Sequence, residues 1–515
     1  MLLCYSVMET PSSPAQSAPR ARTLPTTVAL LRRVDAGVYV LVLLFLLLLP
    51  ISTPRIYATD EVQYYAYLRS VYIDRDLDFR NEYEHFAQIG LTNNDPAIYN
   101  ALLRDHPDDP PVNPQTGKLR NVAPIGAAVL WSPGFILTDL GVRFANLFGV
   151  GIPPDGFARP YIYAACFMSA VYVLLGMLLT YRLCRRYAGV FAATLACLTL
   201  WLATPLVFYA FIAMPWAHAP GFFLVALFLT IWLGTPSPPL ADRYAQRSLG
   251  TWALLGAVGG LMAITREQLG LLLLLPAIES LYAYARLVPA ALRGTVAARQ
   301  QVWQLVQGHA LFLVCLALFL LPQFATYHIL NGRPLPASTV AGKLSASGGG
   351  SPYFFATLIH PRHGAFLWSP VLVPALAGLA WLARRDWLLA ALCLLGFVVQ
   401  TYINGSFGST WHLTGAFGFR RLIECIPFFA LGLAALLEWL HRRTHPAVII
   451  VPCLLLIGWN IGLIAQWTVV RPELRRGLIW DDMLYYQVVE VPQQIIGRLG
   501  DLLFNRCRLM QNQTC

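Results

Sequence analysis

The chain has 515 residues, of which 57% are hydrophobic and only 12% are charged. A soluble domain averages roughly 45–50% apolar and about 25% charged residues. Together with the mean hydropathy of +0.56, these values exclude an ordinary soluble protein and indicate an all-α polytopic membrane protein. The formal net charge is +11. The charges stand in short clusters between apolar runs, a pattern that sets membrane orientation rather than binding to nucleic acid.

The N-terminal third of the chain falls into distinct sections. Residues 1–30 are rich in Pro, Ser, Ala and Arg, which predicts a disordered cytoplasmic segment. The first span follows at roughly 34–50, and residues 51–158 form a long polar loop on the extracytoplasmic side. An apolar stretch within this loop, roughly 122–147, is interrupted by prolines and charges. We therefore expect one or two interfacial helices there rather than a crossing.

Further apolar segments predict about eleven spans in total, within a transmembrane domain of residues 31–466. The segments after the first lie at roughly 159–181, 188–208, 219–234, 251–265, 267–286, 305–327, 365–383, 387–404, 421–440 and 447–466. Arginine clusters follow alternate segments and all become cytoplasmic when odd-numbered spans run outward. We therefore expect a multi-pass protein of the inner or plasma membrane, with its N-terminus cytoplasmic and residues 467–515 as an extracytoplasmic tail.

An acidic pair, Asp60 and Glu61, follows the first span directly. Acids in the first turn of a helix are favoured by the helix dipole, which is the structural interpretation of the pair. Acids at a membrane edge are costly unless they are paired or used. Partial burial would also raise the pKa of such a carboxyl toward working pH. The functional interpretation is a general base at the membrane surface beside a cavity.

Three arginines stand on the predicted outer face, against the positive-inside pattern. Arg266 lies between two apolar runs in Thr265-Arg266-Glu267-Gln268, and Arg420 and Arg421 enter the tenth span. Arg266 is either part of a structural ion pair or part of an anion site. For Arg420 and Arg421, the alternatives are interfacial snorkelling and contact with a phosphate-bearing ligand.

Two further basic residues lie in the outer loop 328–364, which also carries a glycine run at 348–350. Lys343 precedes that run, and His363 follows it in His360-Pro-Arg-His363-Gly364. Flexible glycines with basic side chains suit a loop that closes over an anionic ligand. The alternative is an ordinary Gly/Ser-rich loop. His218, at another outer turn, is interpreted as a structural residue.

The sequence supplies no clear set of metal ligands. Asp74, Asp76 and Asp78 lack the Gly and Glu positions of an EF-hand loop, so a solvated acidic loop is favoured. A divalent ion is nevertheless compatible with a phosphate-bearing ligand. The ten cysteines include no CxxC pair, and a pairing of Cys507 with Cys515 in the tail is left open.

These motifs resemble a known family. The chain is similar to the GT-C superfamily of membrane glycosyltransferases, specifically to bacterial relatives of protein O-mannosyltransferases and lipid A aminoarabinose transferases. The motifs that carry the resemblance are Asp60-Glu61, Asp76-Leu77-Asp78, Pro124-Ile125-Gly126, Thr265-Arg266, His363-Gly364 leading into Leu367-Trp368-Ser369-Pro370, and Phe417-Gly418-Phe419-Arg420. They are spread over roughly 30–440. Where family members open the interfacial helix with a basic residue before Pro-Pro-Leu-Gly, this chain has Val122-Ala-Pro-Ile-Gly126.

The resemblance implies a GT-C-like bundle with a large first outer loop, and transfer of a sugar from a polyprenyl-phosphate donor with inversion. It implies Asp60 as the general base, supported by Glu61, and the hydroxyl of a glycan, lipid or protein as the acceptor. The candidates for binding the donor phosphate are Arg266, Arg420, Arg421, His363 and Lys343. No cofactor is implied beyond the divalent ion considered above.

Two other functions are compatible with the sequence. One is a transporter or flippase of a lipid-linked or anionic substrate, and the other is a non-catalytic membrane scaffold. Convergence of Asp60, Arg266 and Arg420 on one outer cavity that opens to lipid favours transfer. A cavity through the bilayer favours transport, and scattered side chains favour a scaffold.

Overall fold

A computed structural model describes residues 35–105, 110–234, 240, 247–337, 342, 348–470 and 472–504. The predictions for residues 1–30, for Lys343 and for Cys507 with Cys515 lie outside these ranges. The described residues are helical, with an isolated antiparallel bridge between Val112 and Leu119 and no β-strand among them.

Apolar helices and shorter, less apolar helices are interspersed along the chain. The helices are α1 Ala36–Leu48, α2 Thr59–Arg69, α3 Arg80–Thr92, α4 Ala97–Leu102, α5 Gly126–Asn146, α6 Arg159–Cys184, α7 Val190–Leu202, α8 Leu206–Phe211, α9 His218–Leu233, α10 Leu249–Thr265, α11 Leu274–Leu292, α12 Val296–Asn331, α13 Phe354–Ile359, α14 Ala365–Trp368, α15 Leu372–Ala383, α16 Trp387–Gly405, α17 Ile426–His441, α18 Pro446–Ala465, α19 Met483–Tyr485, α20 Val491–Gly497 and α21 Leu499–Phe504. The 3-10 segments Glu267–Leu273 and Arg420–Cys425 lead into α11 and α17.

Six helical segments in the described chain are long and apolar enough to cross a membrane. They are Arg159–Cys184, Glu267–Leu292, Val296–Asn331, Trp387–Gly405, Arg420–His441 and Pro446–Thr468. Five shorter apolar helices are Ala36–Ile51, Val190–Leu202, His218–Leu233, Leu249–Thr265 and Leu372–Ala383. The eleven predicted segments coincide in position with these helices. Since about 20 apolar residues are needed to cross a bilayer, eleven crossings stay a prediction.

The first outer loop is ordered and helical. Its apolar stretch forms the single helix α5, which continues through Pro133 and is not among the segments apolar enough to cross. Trp131 and Phe135 on α5 are fully buried, whereas Leu137 on the same helix is 70% exposed. This two-sided surface is compatible with a helix lying along an interface, and the interfacial location stays a prediction.

Close packing of small residues joins the helices of the bundle. Gly378 on α15 faces Gly432 on α17, and a Cβ added to Gly378 would lie 2.0 Å from the carbonyl oxygen of Gly432. Backbones come this close in membrane bundles only where side chains are small. The two glycines therefore fix how α15 and α17 cross.

Contacts of arginine side chains distinguish the two ends of the bundle. Arg185, just after α6, donates from Nε to Oδ2 of Asp35, just before α1, at 2.9 Å. Arg385, after α15, donates from Nη1 to the Tyr187 carbonyl at 2.6 Å. Arginine clusters from distant segments thus gather at one end, as the topology prediction requires. Arg420 lies at the other end because it precedes α17, whereas the cluster Arg442–Arg443 follows that helix.

The described part of the predicted tail packs on the bundle. The backbone N–H of Leu478 donates to the carbonyl of Arg362 at 2.9 Å, and the indole of Trp480 donates to the carbonyl of Pro361 at 3.1 Å. The loop before α14 is therefore held by the C-terminal segment. The side of the membrane on which this segment lies stays a prediction.

Candidate functional site

A cavity of about 160 Å³ opens where α2 begins and α10 ends. The residues that line it are Asp60, Tyr64, Val122, Pro124, Arg266, Glu267, Gln268, Phe407, Arg420 and Arg421. Four of the predicted site residues, Asp60, Arg266, Arg420 and Arg421, therefore meet in one place. They come from three segments that are far apart in sequence, at the end of the bundle opposite the arginine clusters.

Asp60 is held at the cavity by the start of α2. It occupies the first turn of that helix, and its side chain is 41% exposed. Nη2 of Arg420 donates to Oδ2 of Asp60 at 2.9 Å. The same guanidinium lies over the indole of Trp216 at 3.9 Å from the ring centroid. A cation held on an aromatic face and by a carboxylate has few other orientations open to it.

Arg266 is placed by the break between two helices. α10 ends at Thr265, and the extended backbone of Arg266, with φ of −151°, turns the chain into the next 3-10 segment. Nε of Arg266 lies 3.0 Å from Oε1 of Glu424. Nη1 of Arg266 and Nε2 of His218 are 3.2 Å apart. Arg266 thus lines the cavity and also forms the structural ion pair considered in its sequence interpretation.

Glu424 and His218 complete this buried group. Nδ1 of His218 lies 2.9 Å from Oε1 of Glu424, and both side chains are about 1% exposed. Because Arg266 has only donors to offer to Nε2, the hydrogen of the neutral imidazole belongs on Nδ1, directed at Glu424. Glu424 was not predicted as a site residue. The signal that could have identified it is an acidic residue inside a predicted span.

Arg421 differs from its neighbour Arg420. Its guanidinium lies 4.6 Å from the centroid of the Phe407 ring. Its Nη1 is buried without a hydrogen-bond partner, and it forms no salt bridge within the described part of the chain. Arg421 as a whole is half-buried, and a partly buried guanidinium without an anion carries a desolvation cost. Beside an open cavity, a ligand that carries negative charge would relieve that cost.

Glu61 points away from the cavity and is fully buried. Its Oε2 accepts from the backbone N–H groups of Tyr57 and Ala58 at 2.8 and 3.1 Å, and its Oε1 accepts from the indole of Trp216 at 2.5 Å. Burial raises the pKa of Glu61 to about 7, against the effect of these donors. Glu61 is therefore a supporting residue: it holds Trp216, which in turn carries Arg420.

The structure does not bring His363, another predicted phosphate ligand, to the cavity. His363 is fully buried and stacks on Trp368, with ring centroids 5.5 Å apart. Burial lowers the pKa of His363 to about 4, so the ring is neutral near pH 7. The His363 ring was expected to contact an anion in this cavity. It is packed against Trp368 instead and does not line the cavity. Lys343 lies outside the described residues.

The acidic loop after α2 is solvated in part, since Asp76 is exposed, and is also tied internally. Nη1 of Arg69 donates to Asp74 at 2.5 Å and to Glu82 at 2.6 Å. Asp76 accepts from the hydroxyl of Ser70 at 2.7 Å. In the described ranges, no group of three or more His, Cys, Asp or Glu side chains is arranged to hold a metal ion. Asp74 and Asp76 therefore have a structural explanation.

No protein-family model matches the sequence, and no curated protein sequence matches it. Among solved structures, the chain is similar to the Archaeoglobus fulgidus oligosaccharyltransferase in its complex with Zn and sulfate. The TM-score is 0.45 and the identity 15%, over 82% of this chain and 52% of that chain. It is also similar to the archaeal oligosaccharyltransferase AglB from Archaeoglobus fulgidus in complex with an inhibitory peptide and a dolichol-phosphate. There the TM-score is 0.38 and the identity 13%, over 92% of this chain and 55% of that chain.

This chain therefore spans about half the length of the solved structures that it resembles. The likeness is one of overall chain path at low identity, and it assigns no residue of the cavity. A specific relationship to O-mannosyltransferases or aminoarabinose transferases stays a prediction.

Proposed function

We propose that this protein is a membrane glycosyltransferase that moves a sugar from a polyprenyl-phosphate donor to an acceptor hydroxyl on the extracytoplasmic face. The observation that carries the proposal is the meeting of one carboxylate, Asp60, with the guanidinium groups of Arg266, Arg420 and Arg421 in a single cavity. A base and several cations are what this reaction needs. A scaffold needs neither.

The arginines supply the electrostatic part of the chemistry. When the bond between the anomeric carbon and the phosphate oxygen breaks, the lipid phosphate leaves with the bonding electrons and gains negative charge. Fixed cations in a water-poor site stabilise that charge without reorganising. Arg421 has no anion of its own, so it is the first contact for the phosphate. Arg420 bridges from the phosphate to Asp60.

Asp60 supplies the proton acceptor. The acceptor oxygen forms a bond to the anomeric carbon while its proton passes to a carboxylate oxygen of Asp60, so the transfer is a single displacement with inversion. The salt bridge to Arg420 orients the carboxylate at the cavity. Arg266, fixed by Glu424 and His218, lines the same cavity as a further cation.

The direct test is Asp60→Asn in full-length protein supplied with polyprenyl-phosphate-linked sugars, with mass spectrometry of the lipid and glycan products. Loss of a general base slows a reaction by about 10²–10⁴-fold, and we expect a loss of that size with binding of polyprenyl phosphate retained. Asp78→Asn, in the same loop but outside the cavity, is the matched control. Wild-type rates in Asp60→Asn would contradict the proposal. Movement of the intact donor without cleavage would indicate transport.

A further inference from the structure

The proposed reaction leaves two polar side chains of the cavity without a role. Glu267 and Gln268 line the cavity directly after Arg266, at the start of the 3-10 segment that leads into α11. A glycosyl phosphate has a neutral part that carries hydroxyl groups as well as an anion. The arginines and Asp60 account for the anion and for the proton, so the neutral part still needs a binding surface.

Glu267 is a carboxylate that has no cation of its own. The residue is exposed, and its Oε1 accepts from the hydroxyl of Tyr327 on α12. Its Oε2 accepts no hydrogen bond from the described part of the chain, and its neighbour Arg266 is paired with Glu424 instead. Like charges placed next to each other are unfavourable. A cavity that served a phosphate alone would therefore gain nothing from Glu267.

Gln268 is fixed through its backbone, whereas its side chain has an unused donor. The backbone carbonyl of Gln268 accepts from Nε2 of Gln400 on α16 at 2.8 Å, which holds the 3-10 segment against that helix. The side-chain Nε2 of Gln268 is buried and has no hydrogen-bond partner. An unsatisfied buried donor is unfavourable, and an oxygen of a ligand at this wall would satisfy it.

The two side chains match the hydroxyl groups of a sugar. Glu267 offers a free acceptor and Gln268 a free donor, and each sugar hydroxyl can both donate and accept a hydrogen bond. A phosphate diester has no hydrogen to donate to Glu267, and an apolar group would leave Gln268 unsatisfied. Because the pair directly follows Arg266, a sugar bound there lies next to the phosphate to which it is joined.

We propose that Glu267 and Gln268 bind hydroxyl groups of the sugar that is transferred, Glu267 as the acceptor and Gln268 as the donor. This assignment rests on the proposed function, and it names the residues that select the sugar of the donor. With its phosphate at the arginines and its hydroxyls at this pair, the donor is held at two points. Two points of contact fix the orientation of the anomeric carbon toward the acceptor hydroxyl.

The test is equilibrium binding to the full-length protein in nanodiscs, without an acceptor. The probes are undecaprenyl phosphate and the same lipid phosphate linked to glucose, mannose or galactose. For the sugar-bearing lipid that the wild type binds best, we expect Glu267→Ala to lower the affinity about tenfold, since a hydrogen bond to a charged group is lost. Gln268→Met should lower it about three- to tenfold, the effect of losing a neutral hydrogen bond.

The bare lipid provides the internal control. The affinity for undecaprenyl phosphate should not fall in either variant, because neither side chain is assigned to the phosphate. Glu84→Ala, which removes an exposed acid of the first outer loop outside the cavity, should change neither affinity. Because Glu267 is exposed, its variant stays interpretable if Gln268→Met fails to fold.

Three results would overturn the assignment and leave the proposed function standing. Equal losses of affinity for bare and sugar-bearing lipids would mean that Glu267 acts on the phosphate site. Unchanged affinities in Glu267→Ala would mean that the acid serves only the start of its helical segment. Disappearance of the sugar-specific effect in EDTA would place a divalent ion between the carboxylate and the ligand. Failure of the wild type to bind any of the four lipids would contradict the proposed function itself, and the assignment with it.

Discussion

At the scale of single residues, Arg421 is the proposed first contact of the lipid phosphate. We expect Arg421→Gln to weaken binding of polyprenyl phosphate by about 10- to 100-fold, because a hydrogen bond to a charged group contributes roughly 1.5–3 kcal/mol. Equilibrium binding to the purified protein measures this directly. Arg384→Gln, an arginine at the opposite end of the bundle that lies over Trp381, is the control. Equal affinities of the two variants would remove Arg421 from the site.

Trp216 links Glu61 to Arg420, and a double-mutant cycle measures the link. Trp216→Phe keeps an aromatic face for Arg420 but removes the indole N–H that Glu61 accepts. Combined with Glu61→Ala, its effect on the free energy of unfolding should fall short of the sum of the single effects by about 1 kcal/mol. Trp131→Phe is the control, because Nε1 of Trp131 has no hydrogen-bond partner. Additivity in the Trp216 cycle would mean that the contact carries no energy.

The buried carboxyl of Glu61 predicts a pH dependence of stability. Its pKa is raised from 4.5 to about 7 in the folded protein, so the folded state binds more protons than the unfolded state between these values. Stability is therefore highest below pH 4.5 and falls as the pH rises to about 7, by about 3 kcal/mol at 1.36 kcal/mol per unit. Glu61→Gln should remove this part of the slope in pH-dependent unfolding measurements. If the free energy of unfolding changed with pH in the same way in the wild type and in Glu61→Gln, the raised pKa of Glu61 would be contradicted.

At the scale of elements, the start of α5 fixes the position of Arg266. Gly126 packs against the end of α10, where an added Cβ would lie 2.5 Å from the backbone of Ile264 and Thr265. Gly126→Ala should therefore lower the free energy of unfolding by about 1–3 kcal/mol and weaken anion binding as well, since Arg266 follows Thr265. Thermal unfolding and phosphate binding measure the two effects.

Gly141 on the same helix provides the matched control. An added Cβ there meets nothing within 4 Å, and alanine has the higher helix propensity. Gly141→Ala should leave binding unchanged and stabilise the protein by about 0.5–1 kcal/mol. A similar loss in both variants would show that α5 responds to any added methyl group, not to contact with α10.

The elements themselves were largely predictable. Apolar runs marked the positions of all eleven apolar helices, six long and five shorter, because hydropathy is a local property of the sequence. For the interrupted apolar stretch that forms α5, the sequence predicted one or two helices. The 3-10 segments at Glu267–Leu273 and Arg420–Cys425 were not predicted, since they depend on how the chain enters the bundle.

At the scale of the whole molecule, the predicted topology places the two ends of the bundle on opposite sides of the membrane. We expect Lys118→Cys in the first loop to react with a membrane-impermeant maleimide in intact cells. Arg443→Cys, after α17, should react only after permeabilisation. Arg443 is exposed and the side chain of Lys118 is 33% exposed. The wild-type protein gives the background labelling of native cysteines. Labelling of both positions from the same side would overturn the topology and the outer location of the cavity.

The site was predictable in part. Asp60, Arg266, Arg420 and Arg421 stood out because charges at the predicted outer face of an apolar protein need a reason. The roles of Trp216 and Glu424 were not predicted, since each depends on contacts between residues 155 to 206 positions apart that no local pattern encodes. His363 could not be assigned from the sequence, since a buried structural histidine and a phosphate-binding histidine have the same local sequence pattern.

The central claim is that a lipid phosphate binds among these arginines beside Asp60. The most direct measurement is a structure of the full-length protein in nanodiscs with a polyprenyl phosphate bound. The phosphate is predicted to lie within hydrogen-bonding distance of Nη1 of Arg421, with Asp60 facing the side from which an acceptor hydroxyl approaches. A phosphate bound elsewhere, with this cavity empty, would contradict the account.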